Sequence, residues 1–139
     1  MILSDAALHE LLASSRTVAV VGHSDRPYRP SYDIGQYLRR AGYKVYAVNP
    51  HLRSVGEEPA YPDLRSLPEP IDIVNVFRRP EHLPQIVREA IAIRARTIWG
   101  QLGVDDQQAA EAARAAGLLV VMDRCIKVEH LRLGRMRRD

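Results

Sequence analysis

Cysteine is almost missing from the chain: 139 residues contain one, Cys125. A single thiol excludes an internal disulfide framework and fits a reducing compartment, so a cytoplasmic location is expected. Long apolar runs are missing as well. None approaches the roughly 20 residues that span a bilayer, and Met1-Ile2-Leu3-Ser4-Asp5 lacks the basic-then-apolar order of a secretory signal. No membrane role is expected. Internal repeats, low-complexity tracts and linkers are absent, so residues 1–139 are read as a single domain, with a helix in 1–15 and a basic tail in 134–139. Charge of one sign is not in large excess: the net value is +3, with 46% hydrophobic and 27% charged residues. Four of the last eight residues are arginine (Arg132, Arg135, Arg137, Arg138). Such a tail is more often a solvated terminus than a nucleic-acid contact, so nucleic acid is not the expected partner. Nothing specifies a protein partner.

What is present is alternation of short apolar runs with amphipathic stretches. Ser4 can cap a helix carrying Leu8, Leu11 and Leu12, with Leu3 and Leu8 spaced for a hydrophobic staple. Thr17 to Val21 is a β-branched run without polar alternation, which predicts a strand buried on both faces. Ser31 is placed to cap a helix with Ile34, Tyr37, Leu38 and Ala41 on one face, and Gly42 stands where such a helix stops. Lys44 to Val48, Ile71 to Phe77, Arg96 to Trp99 and Leu118 to Met122 read as further strands, and Tyr61 as the start of a short edge strand. A helix after Pro80 carries Leu83, Ile86, Val87, Ala90 and Ile91. An Ala-rich helix opens on Asp105 and Gln108 as a capping box and ends at Gly117. Asp123 to Leu133 is a closing segment with no assigned structure.

Strands joined by helix-length crossovers pair in parallel, with helices on both faces. The expected fold is therefore α/β: a Rossmann-like, doubly wound, three-layer arrangement around a mainly parallel sheet of five to six strands. In such sheets ligands sit at the carboxyl ends of the strands, where the strand order reverses. That rule narrows the search to four loops: Gly22–Pro30, Asn49–Arg53, Phe77–Pro80 and Trp99–Val104.

The first loop runs Gly22-His23-Ser24-Asp25-Arg26-Pro27-Tyr28-Arg29-Pro30 into Ser31. Helix-start N–H groups near Ser31 offer an anion seat, and Arg26 and Arg29 can grip phosphate. The switch-point rule favours that reading over a merely solvated loop; for His23, a loop-filling role and ligand contact are equally open. NAD fits poorly. Its fingerprint requires Gly-x-Gly-x-x-Gly, but positions 24 and 27 are Ser and Pro. Where a carboxylate should hold the ribose, the chain has Asn49-Pro50, followed by His51 and Arg53. A positive second loop suits a ligand with an additional phosphate. Arg78-Arg79 is either a solvated pair or a second cationic contact.

The segments Val21-Gly22-His23-Ser24, Arg29-Pro30-Ser31-Tyr32, Gly42-Tyr43-Lys44-Val45, Val48-Asn49-Pro50, 72–80 (Asp-Ile-Val-Asn-Val-Phe-Arg-Arg-Pro) and 123–130 (Asp-Arg-Cys-Ile-Lys-Val-Glu-His) resemble the small single-domain CoA-binding protein family. That family is similar to the N-terminal CoA-binding domain of the succinyl-CoA synthetase alpha subunit. The resemblance runs from about Thr17 to Leu133. It implies that coenzyme A or an acyl-CoA lies across the strand ends. Ser24 to Pro27 would contact the nucleotide, and His51 or Arg53 would stand in for a synthetase lysine. Phe77, Arg78, Arg79 and Pro80 would flank the ligand; Trp99, Gly100 and Gln101 would match the segment after the next strand. Gln101 stands where the synthetase has an acidic residue, and the synthetase's second domain has no counterpart here, so ligase chemistry is not carried over.

Cys125, Glu129 and His130, with Asp123, invite a catalytic reading. One Cys and one His make half a zinc site at best, so no metal is expected, and a lone Cys is more often a small buried hydrophobe than a nucleophile. Trp99 is read as core ahead of an adenine platform. The expectation is a CoA-binding protein with no assigned catalytic residue. The rivals are an acyl-CoA-handling enzyme using Cys125 or His130, and an NAD-linked redox sensor with a DNA-contacting tail.

Overall fold

A computed structural model describes residues 2–133. The strands are β1 (Thr17–Val21), β2 (Lys44–Val48), β3 (Ser54–Val55), β4 (Glu58–Tyr61), β5 (Ile73–Val76), β6 (Thr97–Gly100) and β7 (Leu119–Val121). They form one sheet in the order β3-β4-β2-β1-β5-β6-β7. All neighbours are parallel except β3 and β4. The order reverses at β1: the chain moves outward through β2, then returns to add β5 on the other side. This is the doubly wound, Rossmann-like topology expected from the alternation. The sheet has seven strands rather than five or six because residues 54–61 fold into a small hairpin that adds β4 to the β2 edge. Tyr61 ends β4 rather than starting a strand, and β3, not β4, is the outermost strand on this side. Glu58 and Pro59 carry little strand propensity, and the pairing is imposed by the β2 edge.

The helices are α1 (Asp5–Ser14), α2 (Pro30–Arg40), α3 (Leu83–Ala92), α4 (Gln107–Ala115) and α5 (Ile126–Leu133). Strand side chains alternate between two cores, as a strand's two-residue period requires. Ala19, Val21, Val74 and Val76 pack with α3 and α4, and Val18, Val20, Ile73 and Trp99 with α1, α2 and α5. Every residue of β1 is buried, which explains why its sequence carries no polar alternation.

Caps set the helix boundaries. Ser4 Oγ accepts from the Ala7 amide and starts α1. Gly42 (φ +104°) and Gly117 (φ +94°) follow α2 and α4 in the left-handed conformation that glycine tolerates. Two cap assignments are corrected. Helix α4 is capped by Asp106, whose Oδ1 accepts from Ala109, not by Asp105. Helix α2 starts one residue before Ser31, with Arg29 in the cap position and Pro30 at its first turn. The closing segment is helical, and α5 packs against α1 and α2. Among the described residues no helix is long and apolar enough to cross a membrane.

Candidate functional site

Strands β2, β1, β5 and β6 are adjacent and parallel, so the segments that follow them share one end of the sheet. Gly22 leaves β1 with φ +90°. A Cβ there would lie 2.5 Å from the Phe77 carbonyl oxygen and 3.1 Å from Cδ of Arg78. The tips of β1 and β5 therefore touch at a point only glycine can occupy. Gly22 N–H donates to Val48 (2.8 Å) and Phe77 N–H to Val21 (2.8 Å), which binds three strand tips together.

His23 follows with no exposed surface. Its Nδ1 lies 2.8 Å from the Ser24 carbonyl, which can only accept, so Nδ1 carries the proton. Nε2 is then free to accept from the Arg39 guanidinium at 3.2 Å. Burial, opposed by the Ser24 hydrogen bond and reinforced by Arg39, lowers the His23 pKa to about 4. The ring is neutral at pH 7 and sits against Gly35, where a Cβ would be 2.3 Å from Nε2. A mid-helix glycine costs about 1 kcal/mol, and here it makes room for the imidazole that anchors the first loop. Ser31, in place of a helix-capping role, accepts from the Ser24 amide at 2.9 Å. Ser24 Oγ accepts in turn from the Arg26 amide at 3.0 Å. The loop beyond, from Asp25 to Pro30, is exposed, and Arg26 donates to the Tyr28 hydroxyl (3.1 Å).

Asn49 ties the second loop to the first. Its Nδ2 donates to the His23 carbonyl (3.1 Å), and its Oδ1 accepts from the His51 amide (2.9 Å). Pro50, His51 and Arg53 are exposed beyond it. At the end of β5, Phe77 and Arg78 are half-buried, whereas Arg79 and Pro80 are exposed and Arg79 pairs loosely with Glu81 at 4.0 Å.

The fourth segment faces inward. Trp99 is fully buried, with Nε1 donating to the Arg124 carbonyl (2.8 Å), so it supports the strand ends and presents no surface to a ligand. Gly100 is buried beneath the Val104 carbonyl and Met122. Gln101 is 5% exposed, and its Oε1 accepts from Asn75 Nδ2 (3.1 Å) and from the Ile126 amide (2.8 Å). That side chain holds the start of α5 against β5. Cys125 immediately precedes α5 and packs against the core beside it. His130 is buried one turn on, with Nδ1 2.6 Å from Tyr37 Oη. Arg132 pairs with Asp5 and Glu129, while Arg135, Arg137 and Arg138 lie outside the described residues.

A cavity of about 370 Å³ opens at these strand tips on the α3 side. Val21, Val48, Pro50 and Arg78 form one part of its wall. Pro62–Leu64 and the α3 face (Gln85, Ile86, Glu89), with His82, close it. This second part was not foreseen. Its residues come from a 3₁₀ turn after β4 and from a helix whose exposed face carried no distinguishing sequence pattern. A larger cavity, about 520 Å³, lies along the β7 edge between α1 and α4; Asp123 lines it, and none of the residues expected to bind the ligand does.

The family model described as CoA binding domain matches residues 16–131. The protein YneT of Bacillus subtilis (strain 168) is 40% identical over 127 residues, which cover 91% of this chain and 94% of YneT. The ADP-forming acetate–CoA ligase I of Archaeoglobus fulgidus is 27% identical over 129 residues, 84% of this chain but 18% of that ligase. Among solved structures, a Thermus thermophilus protein superposes with a TM-score of 0.90 at 38% identity, covering 94% of this chain and 99% of its own. A Pyrococcus horikoshii OT3 protein gives 0.92 at 34% identity, covering 94% and 92%.

Proposed function

From the premise that the chain belongs to the family of CoA binding domains, we propose that it binds coenzyme A or an acyl-CoA across the carboxyl ends of β1, β2, β5 and β6. The observation that supports this most is a cavity at the switch point lined by the ends of β1 and β2, by Pro50 of the second loop and by Arg78 of the third, with the first loop tied alongside through the Asn49–His23 hydrogen bond. The pyrophosphate lies by Gly22, His23, Ser24 and the start of α2, where Arg26 and Arg29 add positive charge. His51 or Arg53 meets the 3′-phosphate, and Asn49, Pro50 and Phe77 to Pro80 wall the remainder. Gln101 supports this region from below through α5. The role is one of binding, located in the cytoplasm, and no side chain is assigned to bond-making chemistry.

Isothermal titration against CoA, acetyl-CoA, 3′-dephospho-CoA, NAD and ATP tests the reading. CoA and acetyl-CoA bind alike, the dephospho form binds more weakly, and NAD binds weakest. Tighter binding of NAD than of CoA would overturn the assignment. Equal binding of CoA and its dephospho form would remove His51 and Arg53 from the 3′-phosphate.

A further inference from the structure

Besides the buried His23, six of the side chains expected to bind the ligand carry or can carry positive charge: Arg26, Arg29, His51, Arg53, Arg78 and Arg79. Sequence gives no ground for ranking them. In the structure five are exposed, and Arg78 alone of the six is half-buried. Its stem lies over Gly22, with Cδ 3.1 Å from where a Cβ of that residue would be. Its side chain also forms part of the wall of the 370 Å³ cavity. Among the described residues, Arg78 makes no hydrogen bond and no ion pair. The two carboxylates lining the same cavity are turned to other work: Asp63 accepts from the Ser66 amide (2.9 Å) and Glu89 from the Leu64 amide (3.4 Å).

Arg78 thus shares a cavity wall with Val21 and Val48, half-buried and without an ion pair among the described residues, which leaves its guanidinium available to an incoming anion. Nothing in the fold requires that arrangement, since an apolar side chain of the same length would cover Gly22 equally well. The geometry points to Arg78 as the principal anion-binding residue of this site, gripping the ligand's diphosphate where it crosses the β1–β5 switch point. Arg79 and the first-loop arginines, all exposed, contribute less. This inference rests on the CoA reading for its ligand but not for its chemistry, because inorganic pyrophosphate offers the same oxygens.

The test uses the full chain with Arg78→Met, which keeps the stem over Gly22 and removes the charge, beside Arg79→Met. Each is titrated with CoA and, separately, with inorganic pyrophosphate, and its thermal unfolding is recorded without ligand. Arg78→Met weakens both ligands by about 10- to 100-fold, the range of a lost charged hydrogen-bonding group. Its unfolding temperature stays level or rises, as relief of an unpaired charge requires. Arg79→Met, at the exposed neighbouring position, weakens CoA by less, about two- to fivefold, and a loss equal to that of Arg78→Met overturns the ranking. Full CoA affinity in Arg78→Met overturns this inference and leaves the CoA reading intact. Pyrophosphate binding that depends on Arg78, in a wild type that ignores CoA, keeps the anion site and overturns the CoA reading. Absence of binding by either ligand overturns both.

Discussion

The two ends of the sheet treat their polar groups in opposite ways. Around the amino ends of β1 and β5 the charged groups have protein partners close by. The Asp72 carboxylate accepts from the amides of Arg16 (2.6 Å) and Thr17 (3.1 Å), and Thr17 Oγ1 donates to the Pro70 carbonyl and accepts from the Asp72 amide. Glu69 bonds both Arg16 and the Tyr46 hydroxyl. Burial first, and then Glu69, push the Tyr46 pKa up to about 12. At the carboxyl ends the backbone is equally well tied, yet cations lack an ion pair there: Arg78 has none among the described residues, and Arg26, bonded to the Tyr28 hydroxyl, and Arg29 lie in an exposed loop. An end whose charges neutralise one another serves the fold. An end that holds them in reserve is available to an anion.

Substitutions that break this contrast have graded effects. Gly22→Ala is the largest: a Cβ at 2.5 Å from the Phe77 oxygen and φ of +90° force the β1 and β5 tips apart. A loss of about 3 kcal/mol in urea-derived stability is expected, together with loss of CoA affinity, since Arg78 is displaced too. Retention of both would show that the two tips are not in contact.

His23 comes next, through pH. Its pKa is lowered from 6.5 unfolded to about 4 folded, so between those values the unfolded chain takes up a proton that the buried ring refuses. Its contribution is intact above pH 6.5 and is lost as pH falls towards 4, by up to about 2–3 kcal/mol. Urea midpoints measured at pH 7 and pH 4.5 should differ less in His23→Gln than in the wild type. Equal differences would mean that the ring is not held neutral.

Asp72→Ala orphans two backbone amides at the amino end and costs about 2 kcal/mol. CoA affinity should nonetheless stay the same by titration, because nothing at the carboxyl end touches it. Ser31→Ala is the smallest change. It removes the acceptor for the Ser24 amide (2.9 Å), costs about 1 kcal/mol, and weakens CoA binding as the first loop loosens. A titration curve unchanged from wild type would separate that loop from the ligand.

These contrasts also mark what could be read before the structure. The strands, crossovers and switch point follow from Thr17–Val21 and its counterparts, because burial on both faces leaves a run of apolar residues that no other element shows. Gly22 and Gly42 are equally legible, since a helix or strand exit needs the left-handed region. Ser31 is different. Its hydroxyl can cap a helix or hold the Ser24 amide, and only the path of the loop decides between them. The hairpin at 54–61 is invisible for another reason: β4 forms because β2 offers an open edge, against the local preference of Glu58 and Pro59. The cavity wall from Pro62–Leu64 and α3 arises from contacts remote in sequence. Arg78 and Arg79 are indistinguishable as letters, and the fold makes one half-buried and the other exposed.

The most direct test of the account is a titration of the labelled chain with CoA, followed by amide chemical shifts. Perturbations confined to residues 22–31, 49–53 and 77–80, with Arg16, Thr17 and Asp72 unmoved, are the predicted result. Shifts centred on the amino ends of the strands or on the β7 edge would contradict it.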